Sequence, residues 1–331
     1  MGDLTFVDVC SGAGGLALGL EQAGFEPRLL LDDDELAVTT LRTNRPQWNV
    51  LCTDLLDFDP AEHPVSHDVD LLAAGLPRVR SSATARRVDT GMEERLLEAA
   101  VYLVHAIRPR AVVIENVPEL VHSDIHQRFR DFVHAELDHL GYAFSWFVVN
   151  AVDFGVPQSR KHGVLVAVGR EWAKAFRPPE PTVSEPMTVG AALGSSMAAR
   201  GWTDAARWAE QADQPAPTLV GGSKNRGGAD LGPSRAKEKW ATMGVNAHTV
   251  GDAAPDPDFF WDPKLGRDNM VKLTVEQAAL LQGFPAMWQI SGRKTARYRQ
   301  VGHATPPPVG EALGRAVAEA LSGDPAGLSA G

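Results

Sequence analysis

The first half of the chain alternates short apolar runs with amphipathic stretches, which is the pattern of a parallel sheet covered by helices. Thr5 to Val9 reads as a first strand, and Leu16 to Ala23 as the helix that follows a glycine-rich turn. Leu29 to Leu31 reads as a second strand, ending in Asp32, Asp33 and Asp34. Val69 to Ala73 and Ala111 to Ile114 read as two more buried strands; between them Leu96, Leu97, Ala100, Leu103, Val104 and Ile107 recur at helical spacing. Phe144 to Val149 and Val164 to Val168 add strands, expected as a hairpin around Gly155-Val156-Pro157.

After about residue 170 the periodicity breaks. Prolines at 178, 179, 181, 186, 215 and 217, with glycines at 221, 222, 227 and 228, predict a loop-rich second lobe over 175–270. Regularity returns at Thr274, which can cap a helix whose third residue is Gln277. Val309 to Leu321, beyond the triple proline at 306–308, reads as a closing helix.

A chain of 331 residues is long enough for one large α/β domain plus a smaller lobe. No apolar run reaches the roughly 18 to 20 residues that cross a bilayer, and no basic leader precedes the first strand, so the expected compartment is the cytoplasm, with no membrane partner. Cys10 and Cys52 are the only cysteines, and neither a disulfide framework nor a metal site is expected. The net charge of −10 excludes a protein that coats nucleic acid indiscriminately, because such affinity comes largely from neutralised phosphates. It leaves room for a local basic cleft, and two stretches offer one: residues 292–299 carry Arg293, Lys294, Arg297 and Arg299 without an acid, and Lys224, Arg226, Arg235, Lys237 and Lys239 form the second. Either could equally be solvated surface.

Phe6-Val7-Asp8-Val9-Cys10-Ser11-Gly12-Ala13-Gly14-Gly15-Leu16 sits at a strand-to-helix turn, where glycines let backbone approach a ligand and the helix N-terminus presents free amides. Asp32, closing the next strand, is placed to accept hydrogen bonds from ribose hydroxyls. Many nucleotide-binding folds share such a turn. Read in order, however, four segments resemble motifs of the DNA cytosine-5 methyltransferases: the turn itself, Glu115-Asn116-Val117, Pro157-Gln158-Ser159-Arg160, and Gln300-Val301-Gly302-His303-Ala304-Thr305-Pro306-Pro307.

The resemblance implies a Rossmann-like α/β fold of the class I S-adenosylmethionine-dependent methyltransferases, with a smaller target-recognition lobe. Residues 1–174 and 271–325 would form the methyltransferase domain, 175–270 the lobe and 326–331 a tail. It implies S-adenosylmethionine as cofactor, held by Phe6, Ser11, Gly12, Ala13, Gly14, Gly15 and Leu16. Asp32, Asp33, Asp54, Leu55, His303 and Ala304 would complete that site. A flipped base would meet Pro77, Arg78, Glu115, Asn116 and Arg160, with DNA contacts from Arg80, Ser82, Lys224, Arg226, Arg293, Lys294 and Arg297.

Family members add a cysteine thiolate to cytosine C6, because C5 is otherwise a poor nucleophile. In the segment Gly75-Leu76-Pro77-Arg78-Val79-Arg80-Ser81-Ser82, Arg78 stands where the resemblance places that cysteine, and a guanidinium is no nucleophile. Cys10 and Cys52 are expected to be small buried residues, not substitutes. His162 stands at the family's second arginine and His303 at the asparagine of the last motif; each could be a titrating base or an ordinary hydrogen-bonding residue. Arg80, Arg86 and Arg87 make the loop unusually basic.

Three functions fit these departures. One is an enzyme that transfers the methyl group elsewhere, for example to an exocyclic amine, although the Asp/Asn/Ser-Pro-Pro-aromatic tetrad of amino-methyltransferases is absent. Another is a catalytically silent paralogue that binds DNA or a catalytic protein partner. The third is an enzyme acting on an anionic small molecule.

Overall fold

The computed structural model describes residues 4–79, 91–221 and 228–323. Its strands are β1 (Leu4–Val9), β2 (Phe25–Asp32), β3 (Val50–Cys52), β4 (Leu71–Gly75), β5 (Ala111–Asn116), β6 (Tyr142–Asn150), β7 (Gln158–Ser159), β8 (Lys161–Gly169) and β9 (Ala216–Pro217). The helices are α1 (Gly15–Gln22), α2 (Glu35–Asn44), α3 (Met92–Ile107), α4 (Glu119–His122), α5 (Gln127–His139), α6 (Val189–Ala198), α7 (Ala205–Gln211), α8 (Ser234–Thr242), α9 (Val275–Leu281), α10 (Lys294–His303) and α11 (Pro307–Ser322). They cluster into two compact units, the first Met1–Val149, Lys161–Glu180 and Val309–Gly331, the second Asn150–Arg160 and Pro181–Pro308.

In the first unit a seven-stranded sheet runs β3-β2-β1-β4-β5-β8-β6. The strands from β3 to β5 are mutually parallel and β8 lies antiparallel to β5. Parallel strands covered on both faces read as unbroken apolar runs, which is why Phe6, Val7 and Val9 are all fully buried in β1. On one face Val7, Val9, Leu31, Leu72 and Ile114 pack with Leu97, Ala100 and Val104 of α3 and with Val133 and Leu137 of α5. The register brings the C-terminal ends of β1, β2, β4 and β5 to one edge, where Asp32, Gly75, Glu115 and Asn116 close their strands.

Most of 175–270 is irregular, as expected, but the segment also holds the helices α6, α7 and α8. The prolines that suggested loops punctuate these helices from outside: Pro186 precedes the Thr188 cap of α6, and Pro215 and Pro217 lie between α7 and α8. Trp208, Trp240 and Trp261 are fully buried. The division also differs from the sequence reading at 271–308, which groups with this unit because α9 packs against α6 and α10, and Gln277 Nε2 donates to Ser196 Oγ at 3.1 Å. Thr274 caps α9 with a reciprocal capping box through Gln277, as expected. β6 and β8 are hydrogen-bonded neighbours in the sheet, as the expected hairpin requires, with a wide connection around 155–157. That connection also sets β7 beside β9, in parallel.

Candidate active site

In the first unit, the turn after β1 is held in an unusual backbone conformation by the end of β2. Cys10, Gly12 and Gly14 have φ of 56°, 53° and 83°. Glycine adopts this left-handed region freely, whereas at Cys10 it costs about 1 kcal/mol. Asp32 compensates: its Oδ2 accepts the Gly12 N–H at 2.8 Å and its Oδ1 the Asp34 N–H at 2.9 Å. The Ser11 N–H donates to Leu31 O at 3.0 Å, and the Ser11 hydroxyl to Asp8 O at 3.0 Å. A Cβ added at Gly12 would meet nothing within 4 Å, so open space lies over the turn and a ligand can approach its backbone.

Burial makes this corner electrostatically tense. It pushes the Asp32 carboxyl up to about 6, against the two amides that stabilise its charge. It pushes Asp8 up to about 8; this side chain is fully buried, and among the described residues its carboxyl oxygens have no hydrogen-bond partner. Burial, reinforced by the Asp32 charge, likewise drives the Cys10 thiol upward and away from thiolate formation.

Several residues expected to touch a cofactor bury their side chains in the core. Phe6 is fully buried, its ring edge-on to Phe25 with centroids 6.5 Å apart, because a residue in the middle of β1 points into the layer beneath the turn. Ala13, Leu16 and Leu55 are also buried, while Asp33 is exposed. Asp54 is half-buried, and its Oδ1 accepts the Leu56 N–H at 2.9 Å. Cys10, expected to be a small buried residue of the turn, is only partly buried, and its positive φ could not be read from the sequence. Cys52, expected to be buried, is exposed at the end of β3, on the edge of the sheet.

The loop after β4 is gripped by Asn116. Its Oδ1 accepts the Val79 N–H at 3.0 Å and the Val117 N–H at 2.9 Å, and its Nδ2 donates to Pro77 O at 3.2 Å. The amide is therefore occupied by backbone, and Asn116 positions the loop that carries Arg78. Pro77 is exposed, Arg78 is partly buried, and its Nη2 is enclosed without a hydrogen-bond partner among the described residues. Glu115, the neighbour of Asn116 on β5, pairs with His162 of β8: Nδ1 lies 2.6 Å from Oε1, with side-chain exposures of 0% and 4% for His162 and Glu115. Buried carboxylates are tolerated when paired in this way.

In the second unit, Arg160 is fully buried and its Nη1 donates to Leu219 O at 2.8 Å and to Gly302 O at 2.9 Å. His303 is exposed and Ala304 buried. Arg293 is exposed, but Lys294 is paired with Asp252 at 2.8 Å and Arg297 with Glu276. These acids lie far away in sequence, so a stretch that reads as purely basic is partly neutralised in the fold. Arg80, Ser82, Arg86, Arg87, Lys224 and Arg226 lie outside the described residues. Among those described, no helix is long and apolar enough to cross a membrane, and no group of three or more His, Cys, Asp or Glu could hold a metal ion.

Residues 4–319 match the family model described as C-5 cytosine-specific DNA methylase. The chain is 45% identical, over 97% of its length and 76% of the relative's, to the Type II methyltransferase M.NaeI of Lentzea aerocolonigenes. It is 36% identical to the Type II methyltransferase M.NgoMIV of Neisseria gonorrhoeae, over 96% of this chain and 98% of that one. Among solved structures, the Entamoeba histolytica methyltransferase EhMeth superposes with a TM-score of 0.67 at 13% identity, over 98% of this chain and 100% of that one. The S. pombe Dnmt2 methyltransferase gives 0.64 at 15% identity, over 96% and 99%. These similarities establish the α/β fold with its central sheet as that of the class I methyltransferases.

Proposed function

The chain belongs to the C-5 cytosine-specific DNA methylase family, and from that membership we propose that it binds S-adenosylmethionine and a flipped DNA base but transfers methyl to an acceptor other than cytosine C5. The observation that carries this reading is the absence of a usable thiol. Arg78 holds the place that motif order gives to the nucleophilic cysteine, the Cys10 thiol is held protonated in the turn, and Cys52 lies on the sheet edge.

The residues of the turn fit the cofactor. Backbone amides over 12–15, together with the Asp32 carboxylate, would hold it, with His303 and Ala304 added by their place in the last motif. When bound, S-adenosylmethionine supplies a methyl group on a positively charged sulfonium. Glu115, its carboxylate held by His162, would accept hydrogen bonds from the amino group of a base and fix that nitrogen in place. An exocyclic amine carries its own lone pair and needs no adduct at a ring carbon, so it is the acceptor that a thiol-free pocket can serve. Arg78 would contribute a fixed positive charge for a DNA phosphate. As for the two relatives, the setting would be the modification arm of a restriction system.

Incubation with isotopically labelled cofactor and mixed-sequence duplex DNA, followed by mass spectrometry of the nucleosides, tests the reading. Methyl on an exocyclic amine is the expected result. Formation of 5-methylcytosine, or a protein adduct trapped on fluorinated-cytosine DNA, overturns it. Binding of cofactor and DNA with no labelled nucleoside selects the alternative, a catalytically silent DNA-binding or regulatory paralogue.

A further inference from the structure

We propose that Gln158 and Gln282 are positioning residues: with Arg160 they form a polarised hydrogen-bond relay that transmits ligand occupancy at the 302–305 turn to the segment 217–221 of the second unit. This rests on the reading of that turn as part of the cofactor site.

The relay begins at one residue. The Leu219 N–H donates to Gln158 Oε1 at 2.8 Å; Gln158 Nε2 donates to Leu281 O at 3.2 Å and to Gln282 Oε1; Gln282 Nε2 donates to Ala304 O at 2.6 Å. On the other side the Leu219 carbonyl accepts from Arg160 Nη1 at 2.8 Å, and the same nitrogen donates to Gly302 O at 2.9 Å. Both polar groups of Leu219 are thus tied to carbonyls of the turn. Gln158, Arg160, Gln282 and Leu219 are all fully buried, so each bond is shielded from water.

The direction of the chain is forced. A backbone N–H stands at one end and carbonyls at the other, so each amide must turn its oxygen toward Leu219 and its nitrogen toward Ala304. A carboxylate at either position would set acceptor against acceptor, and an aliphatic side chain would strand Ala304 O without its donor. Nor is there slack between the backbones: a Cβ on Gly302 would fall 2.4 Å from Gly221 N, and one on Gly221 would fall 2.5 Å from Arg299 O. Buried networks of bonded amides such as those of Gln158 and Gln282 specify one arrangement, so a shift at 302–304 is carried toward 219.

The test is amide hydrogen exchange on the full chain, with S-adenosylhomocysteine as the probe. In the wild type, saturating probe should slow exchange of a peptide spanning 216–221 by about tenfold, within the usual range of coupling between sites. Gln282→Met should still bind the probe and melt cooperatively, yet show less than about a twofold change at 216–221. Gln282→Asn, which keeps the polarity but shortens the reach, should behave in the same way and serves if the methionine variant does not fold. A network that is merely structural would leave the probe-induced change the same in wild type and variants. That result, or a wild type that binds the probe with no change at 216–221, overturns the inference alone; a wild type that does not bind the probe overturns the cofactor reading and the inference together.

Discussion

Asp8 lies entirely within the first unit, one turn of chain below the glycines, and burial raises its carboxyl to about 8. Unfolded, the same group ionises near about 4. Between those values the folded state holds a proton that the unfolded state has released, so stability must fall as pH rises from about 4 to about 8. Asp32, raised to about 6, adds a smaller fall that is complete earlier. Thermal melts at pH 5, 6, 7 and 8 should show the wild-type Tm declining throughout, by an amount equivalent to about 2 kcal/mol or more. Asp8→Asn should keep only the part of the decline that ends near pH 6. A variant that still loses stability between pH 7 and 8 as the wild type does would refute the assignment. The other decisive residue is Arg78. If its loop, gripped by Asn116, still has the shape that serves a nucleophile, Arg78→Cys should form a denaturation-resistant complex with fluorinated-cytosine DNA on a gel. No such complex should form with wild-type protein. The sequence placed Glu115 and Asp32 correctly at strand ends, and Arg78 in the loop after β4, because each follows an apolar run. It assigned Phe6 to the ligand because motif spacing carries no information about which way a strand residue points.

Among the elements, those written in local chemistry were readable. The cap of α9 is an example: Thr274 and Gln277 stand three residues apart and bond reciprocally, so both the helix start and its stabilising device could be seen in the sequence. Thr274→Ala should cost about 1 kcal/mol and lower Tm by about 2–4 °C, as read by calorimetry, with no effect on ligand affinity at the β1 turn. Contacts between distant parts of the chain were not readable. Gln158 meets Leu219 across 61 residues, Leu281 across 123, and Arg160 meets Gly302 across 142. A Pro-Gln-Ser-Arg segment does not disclose that its glutamine and arginine are both committed to backbone of other elements. The helices α6 to α8 were missed for a related reason. α7 and α8 each bury a single tryptophan, Trp208 and Trp240, which makes no periodic stripe, and the surrounding prolines dominated the local pattern.

For the molecule as a whole, the net charge of −10 and the proposed binding of DNA pull in opposite directions. Bound phosphates would be met by a few local cations, and the supply is smaller than the sequence suggests, since Lys294 and Arg297 already face Asp252 and Glu276. At equilibrium, release of counterions from those contacts makes affinity fall with salt, with a slope near −0.9 for each phosphate neutralised, so about −3 for three or four contacts. Encounter obeys a different term. At ~10 mM salt the screening length is roughly 30 Å, and an approaching duplex feels the protein's whole negative field; at ~100 mM it is roughly 10 Å, and only the docking surface matters. Association measured by stopped flow with a fluorescent duplex should therefore speed up, by about two- to fivefold, as salt rises over that range, the reverse of a steered basic protein. Dissociation must then quicken by more, because the equilibrium constant still declines. An association rate that falls steadily with added salt would mean that the cations near the DNA site outweigh the net charge, and that the acids lie on a face turned away from the approaching duplex.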